Sequence, residues 1–243
     1  LDQSPWRRRR RLDQPALSSL LTAEEAQGYS QGPFVVLVRT RPEFERWLDA
    51  EIAGLEGLQV EDLLGDPEVW ARAAQGSGRL PLDVVVAEPA RDFSALYRLA
   101  DVRLVRPVGV TLMARPGFLK ALRLAASLQL PVRLLPGQPD AEGLAELEQA
   151  LQFAMHDTRV EAPVEFFHSL LASFRGFDQG TLWDILQVDP GPPQEECASC
   201  RYQSLCAGFF KNPDPTYNCD GVRQIFSNIE SMAEEISRDL AAS

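Results

Sequence analysis

All four cysteines of the chain, Cys197, Cys200, Cys206 and Cys219, fall in one short stretch, and residues 1–196 contain none. Disulfide frameworks spread their cysteines through a small core. Clustering of this kind instead predicts metal ligation and a reducing, cytoplasmic setting. The spacing is C-x2-C-x5-C-x12-C. Cys197 and Cys200 form a tight chelating pair, because two intervening residues let the chain turn both sulfurs onto one ion or cluster. Four thiolates complete either a tetrahedral zinc site or one ligand per iron of a cubane. Zinc sites usually present two short knuckles, and the long gap from Cys206 to Cys219 offers no second one. A loop that delivers ligands one at a time suits a larger group. The reading is therefore a [4Fe-4S] cluster held by Cys197, Cys200, Cys206 and Cys219, with zinc as the alternative. Tyr202, Phe209, Phe210 and Tyr217 supply aromatic shielding, and Gly208 permits close backbone approach.

Cys197-Ala-Ser-Cys200, Tyr202, Cys206-Ala-Gly208 and Tyr217-Asn-Cys219 together resemble the C-terminal auxiliary-cluster region, SPASM or twitch, of radical S-adenosylmethionine enzymes. Those enzymes modify peptides and proteins. The resemblance covers about 25 residues and implies a [4Fe-4S] cofactor beneath a partial β/α barrel. Two departures limit what carries over. The C-x3-C-x2-C motif that binds and cleaves S-adenosylmethionine is absent, and the full auxiliary pattern has more cysteines than these four. The chain is thus expected to be a degenerate relative that lacks radical chemistry of its own. It would be a cluster-bearing accessory or electron-transfer protein, working beside a redox or peptide-modifying partner enzyme. The alternative is a peptide- or small-molecule-binding module with a structural metal site.

Other chemistry-bearing residues are sparse. Glu165 and His168 stand at i, i+3 on an apolar helix but lack a third group for a triad. His156 beside Asp157 suits a helix end. Lys211 is expected to be a solvated lysine that could offset cluster charge. Glu88 lies at a strand end, where parallel sheets face ligands. No phosphate-binding glycine pattern occurs. The formal charge is −11, with 35 acidic against 24 basic side chains. Such a balance argues against nucleic acid and favours basic partners. Arg7–Arg11 form one basic block beside Trp6, expected to be a solvated tail. No run of 18 apolar residues is present, so no membrane span is expected.

The elements that must position the cysteines are read from periodicity. Residues 1–30 look like a flexible lead-in, with a short helix around Ala16–Ala26. Residues 31–190 read as an α/β domain. Apolar runs at Phe34–Val38, Leu58–Val60, Leu82–Ala87, Val108–Met113 and Val132–Leu135 alternate with amphipathic helices, of which Arg115–Gln129 is the clearest. Val102–Val105 is a further strand candidate. Strands apolar on both faces indicate a parallel sheet covered by helices, with right-handed crossovers. Four or five such units predict an open sheet or an incomplete barrel. Helices are expected at Pro163–Phe174 and Gly221–Leu240. Asp189–Pro193 breaks the chain ahead of a cysteine subdomain at residues 191–243.

Overall fold

The computed structural model describes residues 18–75, 78–192 and 194–242. The Arg7–Arg11 block lies outside them. The fold is α/β, built on six parallel strands: β1 (Ser19–Thr22), β2 (Phe34–Val38), β3 (Leu55–Val60), β4 (Leu82–Val86), β5 (Val108–Met113) and β6 (Val132–Leu135). They lie in consecutive order from β1 to β6. With right-handed crossovers, that order puts every connecting helix on the same face of the sheet.

The register shows why these strands pair. Val38, Val60, Val84, Val110 and Val132 face one another across five strands, and each is at most 1% exposed. A single parallel bridge from Val132 to Val164 extends the row by one residue. β-branched side chains stack well on such a pleated surface. The opposite face carries Gln59 beside Asp83, and Thr111 beside Arg133. Asp83, Thr111 and Arg133 are buried there. Thr111 Oγ1 donates to Asp83 Oδ1 at 2.8 Å, and Arg133 Nη2 lies 3.4 Å from Asp83 Oδ2. Sequence reading did not find this polar cluster, because each member sits alone within an apolar run.

The helices between strands follow their caps. Helix α1 (Arg41–Leu48) starts from a capping box in which Thr40 and Glu43 satisfy each other's backbone N–H. Asp66 caps α2 (Pro67–Ala73), with proline in its first turn. Between β4 and β5 the chain makes α3 (Pro89–Asp92), a 3₁₀ segment (Phe93–Arg98) and α4 (Leu99–Val102). Helices α5 (Phe118–Ser127) and α6 (Ala141–His156) flank β6, and Asp140 caps the latter through Gly143 N–H.

Two local expectations are corrected. Residues 19–22 form the edge strand β1, not part of a helix. The apolar spacing there suits a helix, but the free edge of β2 offers the backbone a ladder. Val102–Val105 is not a strand: Val102 ends α4, and Val105 N–H bonds back to Val102 O at 3.1 Å. The sheet has six strands, of which β2 to β6 are each followed by helix, so five β/α units are present, within the expected four or five.

After α6 the chain passes Val164 and forms α7 (Glu165–Phe174), then α8 (Leu182–Leu186), α9 (Gln203–Cys206) and α10 (Asp220–Ala241). Helix α10 packs on α7 and α6 through Val222, Ile225, Phe226, Ile229 and Ala233. Among the described residues, no helix is long and apolar enough to cross a membrane.

Candidate functional site

Each cysteine sits in or beside a short helical turn or at a helix end. Cys197 lies in the 3₁₀ turn Glu195–Ser199, and Cys200 closes that turn by donating its N–H to Cys197 O at 2.9 Å. The two-residue spacing thus places a backbone turn between the two cysteines. Cys206 ends α9. The next two residues, Ala207 and Gly208, both take left-handed backbone, with φ of 47° and 79°. Glycine adopts that conformation freely, and alanine only under constraint. The turn aims the N–H groups of Gly208, Phe209 and Phe210 at the Cys206 sulfur. Successive amides converging in this way make an anion-binding nest. Cys219 occupies the N-cap position of α10.

All four thiols are half-buried and unbridged, and all line one cavity. Its empty space, open mouth included, is about 460 Å³. The apolar walls come from Tyr202, Phe210, Val222 and Phe226, and two cations, Lys211 and Arg223, border it. Among the described residues, no three His, Cys, Asp or Glu side chains are drawn together as ligands of a single metal ion would be. The thiols share a cavity rather than a point.

The electrostatics follow from burial and from these neighbours. Burial pushes the Cys206 thiol up, and the three amides partly offset that. Burial also raises Cys219, against the opposing pull of Lys211 and Arg223. Binding a soft cation at such thiols must displace their protons. Lys211 departs from its expected solvated state: it is 9% exposed, and its Nζ lies 3.0 Å from Glu196 Oε2. Arg223, one turn into α10, is held by Asp220 at 3.1 Å and also reaches the Cys200 sulfur. Sequence reading missed Arg223. Its position four residues after Cys219, on the same face of a helix, was the available signal.

The cysteine loop is tied to the α/β body at several points. Gln138, in the loop after β6, donates to Phe210 O at 3.1 Å and Asp214 O at 2.8 Å. Tyr217 donates its hydroxyl to Pro139 O at 2.7 Å, and Trp183 Nε1–H donates to Ala207 O at 3.0 Å. Gln138 and Pro139 follow the carboxyl end of β6, so the site lies at the end of the sheet where α/β folds usually place their ligands. A chain of edge-to-face rings, Phe166–Phe210–Phe226–Tyr202–Phe174, continues the contact into α7.

The remaining candidates stand apart from this site. Glu165 accepts from Ser169 Oγ at 2.8 Å, and His168 Nδ1 accepts the Val164 N–H at 3.1 Å. His156 ends α6 beside Asp157, whose carboxyl Arg159 holds at about 2. Glu88 is ion-paired with Arg115. Compared with known protein families, curated proteins and solved structures, the chain finds no match.

Proposed function

We propose that Cys197, Cys200, Cys206 and Cys219 hold a [4Fe-4S] cluster, and that the chain serves as an accessory or electron-transfer protein beside a redox or peptide-modifying enzyme. The observation that carries this reading is the shared cavity. Four thiols spread over 23 residues reach it from separate short elements, and amide and cationic groups already face them. The donor set fits the group. Thiolates are its ordinary ligands, and a cubane spreads its ligand sulfurs further apart than a single zinc ion does. When bound, the cluster supplies one-electron transfer. The chain's own residues exclude water with Tyr202, Phe210 and Phe226, and donate hydrogen bonds to sulfur from residues 208–210. Amide donors of this kind tune a metal site from outside its ligand set.

On this reading the consecutive parallel sheet is an incomplete β/α barrel, with the cysteine segment as a subdomain beside its carboxyl-terminal end. The reduced thiols suit a cytoplasmic setting. A second reading, a peptide- or small-molecule-binding module with a structural metal, draws on the ties through Gln138, Tyr217 and Trp183, which fix the loop against the body.

The deciding experiment is anaerobic purification followed by iron, sulfide and zinc analysis and a visible spectrum. Iron and sulfide in equal amounts, with a broad band that dithionite bleaches, are expected. Stoichiometric zinc would overturn the cluster and favour the binding module.

A further inference from the structure

Four thiolates and a cubane together carry a net negative charge in either redox state, and that charge grows by one on reduction. The cavity is bordered by two cations on separate elements, Lys211 buried and Arg223 with about half of its side chain exposed. Lys211 belongs to the 3₁₀ segment Phe209–Lys211, and Arg223 to the first turns of α10. Lys211 acts on Cys197 and Cys219, while Arg223 acts on Cys200 and Cys219. Cys206, the remaining thiol, has the three backbone amides instead. Every sulfur therefore has a positive partner, and Cys219 shares both cations. Each cation is in turn held by one carboxylate, Glu196 for Lys211 and Asp220 for Arg223.

Lysine is rare here: of 24 basic side chains only Lys120 and Lys211 are lysines. Lys120 is exposed on α5, whereas Lys211 is buried at the cavity. A buried ammonium loses hydration, and it is retained where a strong counter-charge compensates. Glu196 is only one such charge, and its side chain is 63% exposed, so solvent screens it.

We infer that Lys211 and Arg223 are the groups that set the reduction potential of this site, by stabilising the electron added to the cluster, and that Glu196 trims the effect of Lys211. The inference rests on the cluster reading above. Neither cation ligates. The step is uptake of one electron from an external one-electron donor, with no bond made or broken. A positive charge beside the site favours the more negative, reduced form and so raises the potential. A nearby carboxylate lowers it.

The test is a dye-mediated redox titration of the anaerobic holoprotein, followed at its visible band. Lys211→Met is expected to lower the reduction equilibrium constant about tenfold, about 59 mV for a one-electron couple, and the half-exposed Arg223, which solvent screens, gives a smaller fall on replacement by Met. Arg223→Lys, which keeps the charge, should recover most of that loss. Glu196→Gln is expected to shift the potential the opposite way, upward. Lys120→Met removes the same charge outside the cavity and provides the baseline. Shifts at Lys211 and Arg223 no larger than that baseline, or a lowered potential in Glu196→Gln, would overturn the inference. Should the two Met variants lose iron on purification, the sign of the Glu196→Gln shift against Lys120→Met decides. A wild type free of iron and sulfide defeats the cluster reading and this inference together. An iron-loaded wild type with unshifted variants defeats the inference alone.

Discussion

At the scale of single residues, the grouping of the four cysteines about one cavity was legible in the sequence, because they lie so close together along the chain. The charges around them were not. Lys211 looks like a surface lysine until the fold buries it, and Arg223 borders the cavity only when α10 docks. Serine at Cys200 keeps the size of the side chain but removes the soft ligand. Cys200→Ser is expected to purify with most of its iron and sulfide gone and to loosen the start of α10, measured as faster amide exchange there. Full metal content with unchanged exchange would remove Cys200 from the ligand set. Asp83 allows a pH prediction away from the site. Burial raises its carboxyl above the ordinary 3.8, outweighing Arg133 and Thr111. The folded state thus keeps this proton to higher pH than the unfolded chain does. Its stabilising contribution is complete below about pH 3.8 and is lost as pH rises through the raised value. In urea titrations at a series of pH values, wild type should lose stability relative to Asp83→Asn on going from acid to neutral pH. A difference that moves the other way contradicts the assignment.

At the scale of elements, the long apolar strands were legible because parallel strands buried on both faces read as unbroken hydrophobic runs. Phe34–Val38 follows that rule, and Leu82–Val86 and Val108–Met113 depart from it only at Asp83 and at Gly109 and Thr111. Short elements escaped it. The four residues of β1 are decided by the neighbouring β2, and the helical turns at residues 89–102 run on through what looked like the start of a strand. Helix termini were more readable, since a cap is a local device. Asp140 accepts from Gly143 N–H at 2.8 Å, and removing that acceptor leaves a first-turn donor unsatisfied. Asp140→Ala is expected to cost about 1 kcal/mol of unfolding free energy. Circular dichroism during denaturation checks it, and a change below a few tenths of a kcal/mol would show that water caps the helix equally well. The same substitution also tests the neighbourhood of Tyr217, whose hydroxyl bonds to the adjacent Pro139 O.

At the scale of the whole molecule, the parallel α/β class followed from the alternation of elements. The strictly consecutive strand order did not, because which edge each new strand joins is settled by packing among helices far apart in sequence. The cysteine segment belongs to the same question, since its ties to Gln138, Pro139 and Trp183 are all long-range. Stripping metal from the holoprotein is expected to open residues 194–219 to limited proteolysis while residues 18–188 resist, because the sheet and its helices hold their core without the loop. Cleavage spread evenly along the chain would show that body and loop unfold as one. The position of Cys219 at the head of α10 also sets an order of events at synthesis. On the cluster reading, a chain emerging from the ribosome presents Cys197, Cys200 and Cys206 first, and its ligand set is complete only when the start of α10 appears. Domains form as they emerge, from the N-terminal side. On that reading, loading of the cavity waits for the start of α10, after all six strands of the sheet have been made.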